Sequence, residues 1–481
     1  MKKIFIASFI ILSVLRATAQ ETTDPEELFS EGEFFYLIED YEEALFYYLQ
    51  LLDQFPDNAN FNFKTGMTCL QTPGREHEAI PYLEKASRQT VVKYKKRLFT
   101  EENAPHYTLF YLGNAYRINN ELDKALETYQ KFMDSDDFEG NYNINVVETE
   151  VRACERAKII QDVPVNLRQT RLGPPVNTAT DNYNAILSGD GNTLVFVTQL
   201  RFYDAINLSK KVNDSWSEPV ILNPQVGSDG DMYPTSLNYN GTELYMVRRT
   251  EDNDDIYVST LDGEFWSNAI PLNENINTRG NETHASLSND GQTLYFTSDR
   301  RGGYGKLDIY LSHRIGDNVW GKAVNLGEMI NTQEDEETPF ITSDGSRIFF
   351  SSKGHFNMGG FDIFYCDLLD DNTWNDAINI GFPVNTTGDN LFYFPVGSGE
   401  KAYYARRLKE EPFISDIYYL EILERGAAEG RLVTPILFRE DFDLKIINKN
   451  TQDTLIIHFN HNLNRFSVKQ PAGNFETIIE K

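Results

Sequence analysis

The sequence is short of cysteine, histidine and positive charge. Three Cys (Cys69, Cys154 and Cys366) in 481 residues are too few for a disulfide framework or a Cys-rich zinc module. We expect all three as small buried apolar groups. The seven His are scattered, and the chain has no Gly-x-Ser-x-Gly elbow, no phosphate-binding loop and no His-Glu-x-x-His. The expectation is a non-enzymatic protein with no catalytic residue, no cofactor and no metal. Lys and Arg total 44 against 73 Asp and Glu, a net charge of −29. That excludes a nucleic-acid binder, which needs clustered cations, and disfavours docking on anionic lipid. Beyond residue 15 no apolar run approaches the ~20 residues that span a bilayer, so direct membrane insertion is not expected.

What is present is enough for packed cores: 40% hydrophobic and 13% aromatic residues. The length suggests about three domains. Lys2 and Lys3 precede the apolar run Ile4 to Leu15, and Ala17-Thr18-Ala19 follows. This reads as a secretory signal peptide, residues 1–19, and places the chain beyond the inner membrane.

Residues 25–161 read as helical. In 25–58, Gly32, Phe35, Ala44, Tyr48, Leu51 and Pro56 fall at positions 8, 11, 20, 24, 27 and 32. In 106–139, Leu112, Gly113, Tyr116, Ala125, Tyr129 and Phe132 fall at 7, 8, 11, 20, 24 and 27. A middle unit starts near Ala59, with Gly66 at 8 and Cys69 at 11. Small residues at 8 and 20 let two antiparallel helices approach, large ones at 11 and 24 fill the gap, and proline at 32 stops the second helix. Residues 143–161 read as a capping helix with Val147, Val151, Cys154 and Ile159 on its apolar side. This spacing resembles the tetratricopeptide (TPR) repeat, which implies an α-solenoid with a peptide-holding groove. The basic stretch Arg88 to Arg97, with Lys93, Lys95, Lys96 and Arg97, is a candidate contact for an acidic partner segment, or else a solvated helix face.

From Leu172 a second period takes over. Gly191, Gly241, Gly291, Gly345 and Gly399 are 50, 50, 54 and 54 residues apart, and Trp216, Trp266, Trp320 and Trp374 keep the same step. Each glycine precedes a strand (TLVFVT, TELYMV, QTLYFT, SRIFFS, EKAYYA) and then a second one (INLS, DIYVS, DIYLS, DIFYC, DIYYL). LNENINT, LGEMINT and IGFPVNT close three of the units. Four short strands per unit, five units and no means for one sheet to bury both faces predict a five-bladed propeller over 164–422. The last unit lacks an outer strand, and residues 164–172 are expected to supply it. The third and fourth units resemble the WD40-like PD40 repeat of TolB and related propellers.

Ten residues before each turn glycine lie Asp181, Asp231, Asn281, Asp335 and Asp389; eight after it lie Gln199, Arg249, Asp299, Lys353 and Arg407. Both sets should ring one face of the propeller around its channel, where they can hold a partner's loop or terminus. The alternative is that the Asp residues cap turns and pair with the cations. Glu334 to Glu337 are four successive acids, read as a solvated loop over a calcium site. Residues 424–481 alternate in a β manner and are expected to form a small module.

In sum, the expected architecture is a TPR α-solenoid, a five-bladed β-propeller and a small C-terminal β module. That order resembles OmpA-associated PD40 envelope proteins, including components of type IX secretion and gliding motility, but without their OmpA-like domain. The resemblance implies a periplasmic scaffold, peripherally associated with the outer membrane and binding proteins of an outer-membrane machine. Peptidoglycan contact would be at most indirect. A ligand- or glycan-sensing propeller is the alternative, and an envelope-glycan hydrolase ranks third.

Overall fold

The computed structural model describes residues 24–178, 180–250, 253–407, 414–424, 442–448, 454–459 and 475–480. The expected signal peptide, residues 1–19, lies outside them. The chain divides into two compact units between Val147 and Glu148.

The first unit is built from helix hairpins: α1 (Pro25–Leu37) with α2 (Tyr41–Gln54), α3 (Ala59–Gln71) with α4 (Ala79–Ala86), and α5 (Thr108–Ile118) with α6 (Leu122–Met133). Each helix packs on the one before it and the one after it. Local chemistry starts them: Asp24, Asp40 and Asn58 accept N–H bonds from Glu26, Glu43 and Phe61 at the first turns of α1, α2 and α3. Position 8 of each repeat is the tight point. A Cβ on Gly32 would lie 2.8 Å from the Tyr48 ring, and one on Gly66 2.6 Å from Leu83 Cγ. Gly113 faces the Tyr129 ring more closely still. Ring and glycine are one device: Tyr129 is fully buried and its hydroxyl donates to Asn114 Oδ1 at 2.7 Å. Gly113→Ala should therefore lower the stability of this unit by about 2 kcal/mol, read as a shifted urea midpoint.

Between α4 and α5 the chain leaves the hairpin pattern. The two-residue strands Thr90–Val91 and Ala104–Pro105 pair in parallel and close a loop. The loop crosses α3: Phe99 stacks near Phe29 and Phe61, both centroids 6.0 Å away. Tyr94 OH donates to Asn60 Oδ1, and Lys64 Nζ donates to the Lys96 carbonyl. This explains why α3 is buried from Ala59 to Cys69 without a break, a pattern unlike an amphipathic repeat helix. Its Lys64 is paired with Glu33.

Helix α7 (Ile144–Gln161) spans the division between the units. Its buried positions are Val147, Ala153, Cys154 and Ala157, whereas Val151 is half-buried and Ile159 is exposed. In the second unit Arg156 lies over the Phe356 ring and donates to Asn357. All three cysteines are buried and none is in a disulfide.

The second unit is a ring of five antiparallel sheets. Its inner strands are Asn182–Leu187, Met232–Leu237, Glu282–Leu287, Glu336–Ile341 and Phe394–Val396, and each packs on its neighbours around the ring, the fifth on the first. Second strands (Thr193–Gln199, Glu243–Arg249, Thr293–Ser298, Arg347–Ser352, Lys401–Arg407) and third strands (Asp204–Val212, Asp254–Asp262, Asp308–Gly316, Asp362–Asp367, Ser415–Glu424) follow in order. The turns between inner and second strands need a left-handed residue, and Gly191, Gly291 and Gly345 supply it at φ 74, 71 and 72°. The outer strand of the fifth sheet is Asn166–Arg171, which runs antiparallel to the third strand with Tyr418 opposite Arg171 and Leu420 opposite Gln169. The ring is thus closed by chain 250 residues upstream, as the missing outer strand required.

A repeated asparagine fastens each blade to the next connection. Asn223, Asn277, Asn331 and Asn385 each accept the main-chain N–H of the third-strand isoleucine in the preceding blade (Ile206, Ile256, Ile309, Ile363) at 2.7 to 2.9 Å. Asn177 does the same for Ile417 at 2.8 Å, 240 positions along the chain. Further on, the strands Phe442–Asn448, Thr454–Phe459 and Phe475–Glu480 form a three-stranded sheet with the first in the middle.

Candidate functional site: the charged mouth of the propeller

The constant offset between the two sets of ring residues has a main-chain cause. The amides of Gln199, Arg249, Asp299 and Lys353 donate to the carbonyls of Asp181, Asp231, Asn281 and Asp335 at 2.8 to 3.2 Å. The first four blades therefore bring the two sets together at the end where chains enter the inner strands. The fifth does not: Asp389 precedes its inner strand by five residues and accepts the Phe361 N–H of the fourth blade at 2.9 Å. Arg407 ends the fifth second strand at the same mouth.

Side-chain pairing departs from the simple scheme. Asp231 pairs with Arg248 at 2.8 Å, not with Arg249. Lys353 does meet Asp335 at 3.2 Å, and Asn281 donates both its N–H and its Nδ2 to Asp299. Asp181 accepts the Ser415 N–H. Burial nevertheless raises the Asp181 carboxyl above its ordinary value, as it does Asp254 and Asp255. Arg249 lies over the Tyr233 ring, 4.6 Å from its centroid.

The acids 334–337 do not converge on one point. Glu334 pairs with Lys306 and Asp335 with Lys353. Glu336 is fully buried and accepts from Thr332 N, Thr332 Oγ1 and Ser352 Oγ at 2.7 Å each. Glu282 repeats this clamp one blade earlier with Thr278 and Ser298. Among the described residues no three His, Cys, Asp or Glu side chains converge as metal ligands. Burial pushes Glu336 up to about 7 from its ordinary 4.5. The folded state therefore keeps a proton that the unfolded chain has released, and stability falls as pH rises from about 4.5 to 7, then levels. At ~1.4 kcal/mol per unit the full drop is about 3 kcal/mol. Glu336→Gln should flatten that part of the curve in urea titrations at pH 5 and pH 8; an unchanged slope would assign it elsewhere.

The axis of the mouth was not among the ring residues named from sequence. His284, on the third inner strand, lies 3.4 Å from Glu337 of the fourth blade, with ring centroids 5.4 Å from Tyr233 of the second and 5.3 Å from Phe392 leading into the fifth. A side chain of one blade that touches three others sits on the channel axis. It is 6% exposed and neither ring nitrogen has a hydrogen-bond partner. The signal was in the repeat frame: Asn184, Pro234, His284, Thr338 and Phe392 each lie three residues after a ring position. Asn184, Thr338 and Phe392 have φ of 49, 49 and 59°, so the chain kinks there, as it does in bulges that re-aim side chains.

Around this mouth the loops carry exposed aromatics: Phe202 is 86% exposed, Tyr304 53% and Tyr203 38%. The opposite mouth is different. A cavity of about 110 Å³ opens there, lined by Ser188, Ser236, Ser286, Phe340, Phe394 and Pro395 among others. Lys93, Lys95, Lys96 and Arg97 are exposed on the loop crossing α3, in the first unit. They sit on no helix, and the loop they belong to lies across α3.

No family model matches the sequence, and no curated protein matches it. Among solved structures the chain is similar to TolB from Acinetobacter baumannii (15% identity, 51% of this chain and 55% of that one, TM-score 0.35). It is also similar to a TolB described as putative from Agrobacterium tumefaciens (14%, 50% and 73%, TM-score 0.31). A third is the α-L-arabinofuranosidase PaAbf62A from Podospora anserina (10%, 55% and 100%, TM-score 0.36). The chain thus spans about half the length of the first TolB structure.

Proposed function

We propose that this protein is a non-enzymatic adaptor that docks other proteins on the charged mouth of its propeller. The observation that carries this reading is the composition of that mouth. Exposed Phe202, Tyr203 and Tyr304 surround a polar ring, and aromatic and arginine side chains are the ones that anchor protein interfaces. The acidic net charge and the leader-like N-terminus favour a periplasmic setting, peripheral to the outer membrane, with partners drawn from an envelope machine of the type IX secretion or gliding kind. Wall contact would then be indirect. We read the helix hairpins as TPR units and the blades as PD40 repeats. Because a loop of the chain lies across α3, the first unit would dock through the outer edge of that loop, Lys93, Lys95, Lys96 and Arg97, toward acidic segments. The ligand- or glycan-sensing alternative draws on the serine-lined cavity at the opposite mouth.

Affinity purification from detergent-solubilised envelopes tests the reading. Stoichiometric outer-membrane subunits should co-purify, and Phe202→Ala with Tyr304→Ala should lose them. Recovery of the protein alone, with saturable binding of a polar small molecule, would favour the sensor.

A further inference from the structure

The floor of the charged mouth is short of one positive charge. Asp254 lies close enough to interact with Arg249, His284 and Glu337, so two carboxylates share one guanidinium and the imidazole. That guanidinium is occupied on the Tyr233 ring. His284 lies beneath them, more than nine-tenths buried, with two nitrogens that meet no hydrogen-bond partner and Glu337 Oε2 at 3.4 Å. Buried polar groups left without partners are costly and uncommon in folded proteins, so this arrangement is incomplete as it stands. Beside it Asp181 interacts with both Asp204 and Arg407.

We propose that the floor receives a primary ammonium group, from a lysine or a free chain terminus on an extended segment of the docked protein. This deepens, and rests on, the reading of this mouth as the docking face. A compact ammonium carries three N–H donors, and the floor offers three kinds of acceptor: Glu337, Asp254 and an imidazole nitrogen of His284. The rings of Tyr233 and Phe392 flank the imidazole on two sides, and aromatic faces attract a desolvated cation. A guanidinium is the poorer fit, being planar and broader, and Arg249 already occupies the Tyr233 ring.

The test uses the intact purified protein with isotope-labelled histidine. The His284 signal is assigned with His284→Gln. Three peptides are titrated: acetyl-Gly-Lys-Gly-amide, Gly-Gly-Gly-amide with a free amino terminus, and acetyl-Gly-Gln-Gly-amide. A saturable His284 shift with a cationic peptide and none with the glutamine peptide is expected. Which cationic peptide binds more tightly decides between side chain and terminus. Glu337→Gln should weaken binding about tenfold or more, since ~1.4 kcal/mol corresponds to tenfold, while Asp214→Asn on an exposed hairpin should not. Asp254→Asn carries the same prediction if Glu337→Gln does not fold by circular dichroism. Equal responses to lysine and glutamine peptides, or no saturable response to either cation, overturn the proposal. The outcome is independent of the envelope purification: ammonium binding without co-purified subunits would leave the site and remove the adaptor, and the reverse would leave the adaptor and remove the site.

Discussion

Replacing Asn166–Arg171 with six Gly-Ser residues is expected to open the propeller. The replacement weakens the outer ladder of the fifth sheet, from Tyr418 opposite Arg171 to Glu424 opposite Asn166, because Gly and Ser lose more backbone freedom on pairing and bring no cross-strand side chains. It also removes Leu167, which packs against the core that holds Leu420 and Ile422. Asp416 would lose Arg171, its ion-pair partner, although the Asp416 side chain is fully buried. Leaving a buried charge uncompensated costs about 3–5 kcal/mol, and the half-exposed arginine places this case toward the low end. The weakened ladder and the loss of the Leu167 contacts add to it. We expect the second unit to melt as a separate, earlier transition in calorimetry while the helix hairpins keep theirs. Arg171→Ala alone should give a smaller shift in the same direction. A single unshifted transition for the replacement would mean that the sheets hold together without closure.

Asn331→Leu should cost about 3 kcal/mol although it keeps the branched shape and the number of side-chain heavy atoms. Asn331 is 2% exposed. Its Oδ1 accepts the Ile309 N–H at 2.7 Å, and its Nδ2 donates to the Ile309 carbonyl and to Asn325 Oδ1, both at 2.9 Å. Leucine leaves the buried Ile309 N–H unpaired, at about 1–3 kcal/mol, while the Ile309 carbonyl keeps the Leu326 N–H at 3.1 Å; the bulkier apolar side chain adds strain at a site packed for an amide. Asn331→Asp restores the acceptor and not the donor, so it should fall between. The check is urea unfolding of each variant. A leucine variant as stable as the parent would show that these amides are solvated instead.

The blades were legible because their signals are local. A glycine that must turn left-handed, a short strand rich in β-branched and aromatic residues and a tryptophan recur at one spacing, and a lone Asn166–Gly173 segment matches an outer strand. The asparagine clamp was printed in the same repeat, at Asn277, Asn331 and Asn385, but its role is not local. It reaches back to a third strand some 20 residues earlier, and a side chain's partner at that distance is not readable from spacing. In four blades a main-chain bond fixes the offset between the two sets of ring residues. In the fifth the inner strand starts late, at Phe394, which spacing alone does not reveal. The axial His284 escaped notice since a lone histidine on a strand looks like any other until the ring closes around it. The basic stretch 88–97 carried no hydrophobic period that separates helix from loop. Phe99, anchored between Phe29 and Phe61, and the Tyr94–Asn60 bond show why it lies across α3.

The account depends on the charged mouth being where other proteins dock. Photo-crosslinking in living cells, with a benzophenone side chain placed at Phe202, Tyr304 or Tyr239, tests that directly. Tyr239 lines the cavity at the opposite mouth. The account predicts discrete crosslinked proteins from 202 and 304 and none from 239. Crosslinks from 239 alone would contradict it.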